Sequence, residues 1–351
     1  MVLNLALKER NVVRRQVKLT HLAIKVQRDV ARQLNALKRK KRNNLNYLQL
    51  YNLLCKITIS LICLVICAGG FVRMTGSGMG CPDWPKCFGS WIPPTDVSDL
   101  PANYKEIYAE RGYDKLDFNV FNTWTEYINR LLGLISGFFC LALFITSLLT
   151  YNKYLIYLNL FLVALMGFQG WMGAIVVYSV LAPFKITIHM LIALSIVTLL
   201  FYLHRISNAN IYSKNNSNNI WIYIALLISI IQIVIGTQVR ESVDILLPHV
   251  NRMNLVSELP SIFEYHRTVS WLVFLSNLLL LIYYRNWIRI LYEYYIIIIS
   301  IGLLFCTGIA MTYYSLMGVF QFIHLILAVT LFTTQISILM KKLPLPIVQI
   351  P

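Results

Sequence analysis

Apolar runs, each about twenty residues and so long enough to cross a bilayer as a helix, alternate along the chain with short polar stretches. There are eight, near 52–72, 124–149, 154–178, 183–203, 219–239, 263–284, 290–312 and 317–340. Lipid offers a backbone no hydrogen bonds, so such runs span it as helices that satisfy their own N–H and C=O groups. The pattern predicts an all-α membrane protein with eight transmembrane helices. Composition agrees: 58% of the 351 residues are hydrophobic and 13% charged, against roughly 25% charged in soluble domains.

The eight runs divide into two sets of four that echo one another. The first ends AGGFVR at Arg73 and the fifth ends IVIGTQVR at Arg240; the second opens EYINR at 126–130 and the sixth EYHR at 264–267. The fourth carries ITIHML around His189 and the eighth QFIHLI around His324. Asn129 and His189 are 60 residues apart, His266 and His324 58. Matched spacing of this kind points to a parallel internal repeat, and so to two pseudo-symmetric four-helix bundles. The expected organisation is a basic tail at 1–50, an N-terminal bundle at 51–204 with a long outer loop at 73–123, an inner linker at 205–218, a C-terminal bundle at 219–340, and a tail at 341–351.

Charge orients this arrangement. Residues 1–43 hold thirteen Lys and Arg against Glu9 and Asp29, most of the net +16. Ahead of a membrane span such a tail reads as an anchor on anionic lipid rather than a nucleic-acid arm; a mitochondrial presequence is the alternative. Lys153, His204–Arg205 with Lys214, Arg285 with Arg289, and Lys341–Lys342 all fall on the tail's side, whereas the 73–123 loop holds five basic and seven acidic residues. Both termini are therefore expected on the cytoplasmic or matrix side and the loop outside.

Five of the seven cysteines, Cys55, Cys63, Cys67, Cys140 and Cys306, sit in apolar runs, where they read as small buried hydrophobes. Cys81 and Cys87 form the loop pair, facing an oxidising compartment, so a disulfide is expected. Of the six histidines, His21 and His204 read as solvated and His249 is ambiguous. His189, His266 and His324 each lie within the first two turns of an even-numbered run and so at one depth in the outer leaflet. Ionisable residues at membrane depth are costly and mark function. Two imidazoles on facing helices suit an iron porphyrin, and His266 with His324 makes such a site. In the first half His189 is alone, and Asn129 holds its partner's position. Glu126, three residues before Asn129 on the same helix face, is a candidate for proton handling or charge stabilisation, the other reading being a solvated carboxylate or one paired with Arg130. Arg73 and Arg240, recurring at equivalent places, either snorkel or hold haem propionates, and Arg130 and Arg267 carry the same two readings.

The run VRMTGSGMGCPDWPKCFG, the EYxxR motif and the ITIHML, EYHR and QFIHL segments together resemble the haem A synthase family, over about residues 55–340. The resemblance implies oxidation of the C8 methyl of haem O to the formyl of haem A. It implies a haem b cofactor on His266 and His324 in the C-terminal half, and a haem O pocket in the N-terminal half with Glu126 and His189. It gives Cys81 and Cys87 as the outer cysteine pair, catalytic if a thiol attacks the haem. The family commonly carries E-x-x-H where this chain has Glu126 and Asn129, and asparagine is a poor iron ligand. Implied partners are a haem O-producing farnesyltransferase and an assembling terminal oxidase, with the electron donor unspecified; the implied location is the bacterial inner membrane or, alternatively, the mitochondrial one. Two rival functions share the histidines: a b-type transmembrane electron carrier, and a haem transporter or chaperone that leaves the haem unaltered.

Overall fold

The structure, a computed structural model, describes residues 2–150, 152–179, 184–208, 220–286 and 291–343. Residues 209–218 of the expected inner linker and 344–351 of the expected tail lie outside the described residues, as do the side chains of most basic-tail cations. The main helices are α1 (Val2–Met74), the one-turn α2 (Tyr104–Ile107), α3 (Val120–Leu149), α4 (Lys153–Tyr178), α5 (Lys185–Ser207), α6 (Ile220–Leu246), α7 (Ile262–Tyr284), α8 (Leu291–Tyr313) and α9 (Gly318–Lys342). Among the described residues, eight helices are long and apolar enough to cross a membrane: 46–74 of α1, then α3 to α7, 292–313 of α8, and α9. The chain is an all-α integral membrane protein.

The chain divides into two compact units, residues 1–50 and 51–351. The first is helical from Val2 onward, with exposed side chains that include Val30, Leu34 and an Asp29–Arg32 pair one turn apart.

In the second unit the buried apolar side chains fall into two large clusters. One joins Tyr51, Cys55, Ile62 and Ile66 of α1 with Cys140 and Leu143 of α3, Leu155 and Leu162 of α4, Ile196, Leu200 and Leu203 of α5, and Val329 of α9. The other joins Ile222 and Leu226 of α6 with Leu280 of α7, Ile297 and Ile301 of α8, Phe332 and Ile338 of α9, and Leu194 of α5. Each cluster carries a buried polar knot, as expected where lipid supplies no partner. In the first, the Tyr51 hydroxyl donates to Asn159 Oδ1 at 3.1 Å. In the second, Gln335 Nε2 donates to Ser229 Oγ at 3.0 Å and Asn277 Oδ1 at 2.8 Å.

Two helix ends differ from the apolar pattern for local reasons. Helix α3 begins at Val120, because Asn119 caps it by accepting from Asn122 N at 3.1 Å. Helix α6 continues past Arg240 to Leu246, and Asp244, one turn on, pairs with Arg240 at 2.9 Å. Arg240 is thus inside a helix and not at its end, where the apolar pattern alone puts it; the outer loop of the second half starts after Leu246.

The outer loop has its own small core. Phe88 lies edge-on to Tyr104, Tyr108, Tyr113 and Phe118, with ring centres 5.7–6.0 Å apart, and Cys81, Cys87 and Leu100 are buried around it. Gly80 brings the loop against α3: a Cβ there would lie 2.4 Å from the Asn122 carbonyl oxygen, a backbone atom. Gly80→Ala should therefore lower the thermal midpoint in detergent, by the about 1–3 kcal/mol usual for overpacking. The control is Gly133→Ala, where a Cβ would meet nothing within 4 Å; it should be neutral or slightly stabilising. Equal effects of the two would remove the assignment of Gly80 as a contact point.

Candidate functional site

His189 is the fifth residue of α5, His266 the fifth of α7 and His324 the seventh of α9, all near the helix ends on the loop side. The His266 and His324 rings have centres 6.3 Å apart, inclined at 59°. Two imidazole–metal bonds of about 2 Å each, plus roughly 1 Å from each nitrogen to its ring centre, span a similar length. Two imidazoles alone leave a first-row metal short of donors, so a metal held here would bring others with it, as an iron porphyrin does. Among the described residues, no group of three or more His, Cys, Asp or Glu is placed to hold a bare metal ion.

The surroundings leave room at each of these positions. Gly236 of α6 faces His266, Gly308 of α8 faces His324, and Gly173 of α4 faces His189; Cβ atoms there would lie 3.1, 3.9 and 3.7 Å from the respective Cε1 atoms. Gly69 of α1 stands in the same relation to Asn129, at 4.0 Å from Oδ1. A glycine on one helix of each hairpin thus opposes the candidate ligand on the next. His189 Nδ1, His266 Nδ1 and Asn129 Oδ1 are buried without a hydrogen-bond partner. Buried polar atoms left open in this way are costly and suit a group that completes them. His324 Nδ1 instead lies 2.8 Å from Thr307 Oγ1. Asn129 and His189 share no hydrogen bond through their open atoms.

Arg73 and Arg240 come together through Asp244, which pairs with both. Arg240 also donates to Gln321 Oε1 on α9. Nε of each arginine is buried and unpartnered. Two guanidiniums share one carboxylate, leaving a surplus positive charge suited to a carboxylate-bearing ligand.

Glu126 is buried, and both of its oxygens are taken. Oε1 pairs with Arg130, and Oε2 accepts from Gly80 N at 2.8 Å and Cys81 N at 3.0 Å. Arg130 donates in turn to the carbonyls of Asp83 (2.6 Å), Lys86 (3.0 Å) and Cys81 (3.2 Å). Between the two, Thr123 Oγ1 donates to Gly80 O at 2.9 Å. Cys81 and Cys87 are joined as a disulfide, so neither carries a free thiol here. Burial first, and then the Glu126 carboxylate, push the Tyr113 phenol well above its ordinary pKa; it stays neutral and donates to Met79 O at 2.6 Å.

Sequence reasoning passes over Asp244, Thr307, the four glycines, and Gln169 and Gln232. The glutamines are detectable in principle, as amides inside apolar runs. Asp244 is detectable as an acid four residues after an arginine.

The clamp on the loop is testable. Arg130→Met leaves the buried Glu126 carboxylate without its cation, a change that costs about 3–5 kcal/mol where one partner of a buried pair is removed. The expected result is a lower thermal midpoint and faster reduction of the Cys81–Cys87 bond; unchanged reduction kinetics would show that the clamp does not hold the loop.

A family model described as COX15-CtaA, cytochrome oxidase assembly protein, matches residues 52–336. Proteins named heme A synthase are similar to the chain. That of Pelagibacter ubique is 31% identical over 213 residues, covering 55% of this chain and 62% of the relative. That of Shewanella oneidensis is 32% identical over 151 residues, covering 43% and 44%. That of Ehrlichia canis is 33% identical over 203 residues, covering 53% and 57%. The matched stretches span about half the length of these relatives.

Proposed function

The chain belongs to the COX15-CtaA family of cytochrome oxidase assembly proteins, and from that premise we propose that it makes haem A, oxidising the C8 methyl of haem O to a formyl group. The observation that carries the reading is the His266–His324 pair, two imidazoles at 6.3 Å in the loop-side half of the membrane with a glycine opposite each. His266 and His324 would hold haem b as the resident cofactor, which would supply one-electron transfer.

The substrate haem O would lie in the N-terminal half, held by His189. An asparagine amide donates and accepts hydrogen bonds but is a weak ligand for iron, so Asn129 would hydrogen-bond oxygen or water rather than ligate. Arg73 and Arg240 hold propionates, with Asp244 fixing both guanidiniums. The reaction would be two hydroxylations of the methyl, each taking one oxygen atom from O2 and two electrons and two protons from an external donor with release of one water, after which the gem-diol loses water to give the formyl. Glu126 acts through the cysteine loop it clamps over the start of α3; a part in proton transfer requires its release from Arg130. Cys81 and Cys87 hold that loop closed. Haem O comes from a farnesyltransferase and haem A goes to an assembling terminal oxidase. The histidine-bearing leaflet faces outward from the bacterial cytoplasm or the mitochondrial matrix, with both chain termini on the inner side.

Co-expression with a source of haem O, followed by pyridine haemochrome spectra and mass analysis of the extracted haem, decides the central claim. Haem A is the expected product; haem O recovered unaltered would overturn the reading in favour of a haem carrier. Ligation is tested by EPR. His266→Ala or His324→Ala should remove the low-spin haem b signal, and a wild-type spectrum in both would refute the cofactor assignment. Asn129→His should shift the substrate haem towards low spin, while His189→Ala should abolish formyl formation with the C-terminal haem retained. Glu126→Ala should reduce turnover more than haem content.

A further inference from the structure

Gln169 and Gln232 are amides set within the apolar helices α4 and α6, where an unpaired polar side chain is costly. Both turn to the neighbouring helix and make the same bond. Gln169 Nε2 donates to the backbone carbonyl of His189 at 3.1 Å, and Gln232 Nε2 donates to that of His266 at 3.0 Å. Those carbonyls belong to helices, so the amide takes the second lone pair of an oxygen that also serves the helix ladder. Gln232 Nε2 lies in addition 3.4 Å from His266 Nε2.

One turn beyond each glutamine stands the glycine that faces the same histidine: Gln169 with Gly173, in QGWMG, and Gln232 with Gly236, in QIVIG. At 236 the clearance is tight, since a Cβ would lie 3.1 Å from His266 Cε1 and 3.6 Å from Nδ1. The other two facing glycines, Gly69 and Gly308, are preceded four residues earlier by Val65 and Leu304. There the opposing groups are Asn129, with no partner on its Oδ1, and His324, beside Thr307.

We propose that Gln-x-x-x-Gly is an imidazole-positioning device used twice in this chain, the glutamine fixing the backbone of the histidine residue and the glycine admitting its ring. Gln232 and Gly236 set His266; Gln169 and Gly173 set His189. The inference rests on the reading of those histidines as haem ligands. An interhelical amide that served only as glue would add about 1 kcal/mol of helix association and would act on both haem sites alike. A positioning residue acts on its own histidine and not on the other.

The test is a crossed set of variants in the full chain: Gln232→Leu, Gly236→Ala and Gln169→Leu. In haem-loaded protein, Gln232→Leu and Gly236→Ala should each lower haem b retention at the C-terminal site about tenfold or more, the usual cost of losing a group that orients a ligating histidine, and shift the EPR g values of what remains. Gln169→Leu should leave that signal as in the wild type. In haem-free protein, diethyl pyrocarbonate labelling read by mass spectrometry should rise several-fold at His266 in Gln232→Leu and at His189 in Gln169→Leu, with His324 unchanged in both.

Wild-type retention and g values in both Gln232→Leu and Gly236→Ala would overturn the proposal. So would a uniform rise in labelling at all three histidines. If His266→Ala itself kept a wild-type spectrum, the haem assignment would fall, and the haem-free labelling would still decide the positioning role.

Discussion

A histidine inside lipid is tolerable only where a neighbouring helix leaves space for its ring and nothing charged or bulky forces it out. In this chain the space comes from the helix that precedes it. Gly173, Gly236 and Gly308 each face the histidine of the following span, and Gly69 faces Asn129 in the same manner. The unit of design is thus the helical hairpin, made four times, with a bare backbone on one arm and a candidate ligand on the other. Most other features of the loop-side half attach to that arrangement: the His266–His324 pair, the glutamines one turn below two of the glycines, and the threonine beside His324.

The outer loop is tied to the same hairpins by charge. Glu126 and Arg130, one turn apart on α3, grip opposite polarities of the loop backbone: Glu126 takes N–H groups of Gly80 and Cys81, and Arg130 takes carbonyls of Cys81, Asp83 and Lys86. Arg111 adds a carbonyl contact to Pro82 and lies over the Tyr178 ring of α4 at 4.6 Å. With Thr123 on the Gly80 carbonyl, six backbone groups of residues 80–86 find partners on α3. The loop and the start of α3 form one polar assembly set on an apolar bundle.

Much of this architecture is legible in the sequence. The eight spans are plain because a twenty-residue apolar run fits a bilayer and little else. A cap at Asn119 and the Arg240–Asp244 pair account for two of the boundary shifts, while α1 and α5 also run past their apolar stretches at the inner ends. His266 and His324 stand out because their spacing repeats that of Asn129 and His189. Cys81 and Cys87 are the two cysteines of the outer loop, and they are bonded. What the sequence hides depends on contacts between distant residues. Arg73 and Asp244 are separated by 171 positions, and Glu126 and Gly80 by 46. Helical spacing sets Glu126 beside both Asn129 and Arg130, and the Arg130 pair is made; the loop N–H groups of Gly80 and Cys81 that it also takes carry no sequence signal. The glycines are equally silent, because their importance lies in what they omit.

The first and last spans of the chain are neighbours. Gly70 of α1 sits so close to α9 that a Cβ would lie 2.7 Å from Leu325 Cδ2, and one on Gly318 would lie 3.0 Å from Met74 O. Phe71 and Phe322 pack edge to face across the same seam, at 6.1 Å. A second seam joins α5 to α6, where the Thr187 and Thr237 hydroxyls are 2.8 Å apart and Gln238 donates to Thr187 at 2.7 Å. Together with the Arg73–Asp244 pair between α1 and α6 and the packing of α5 on α9, these seams join the first four spans to the last four, and every contact named in them comes from the helices themselves. A change of side-chain volume at Gly70 or Gly318 is therefore felt in both sets of four helices at once.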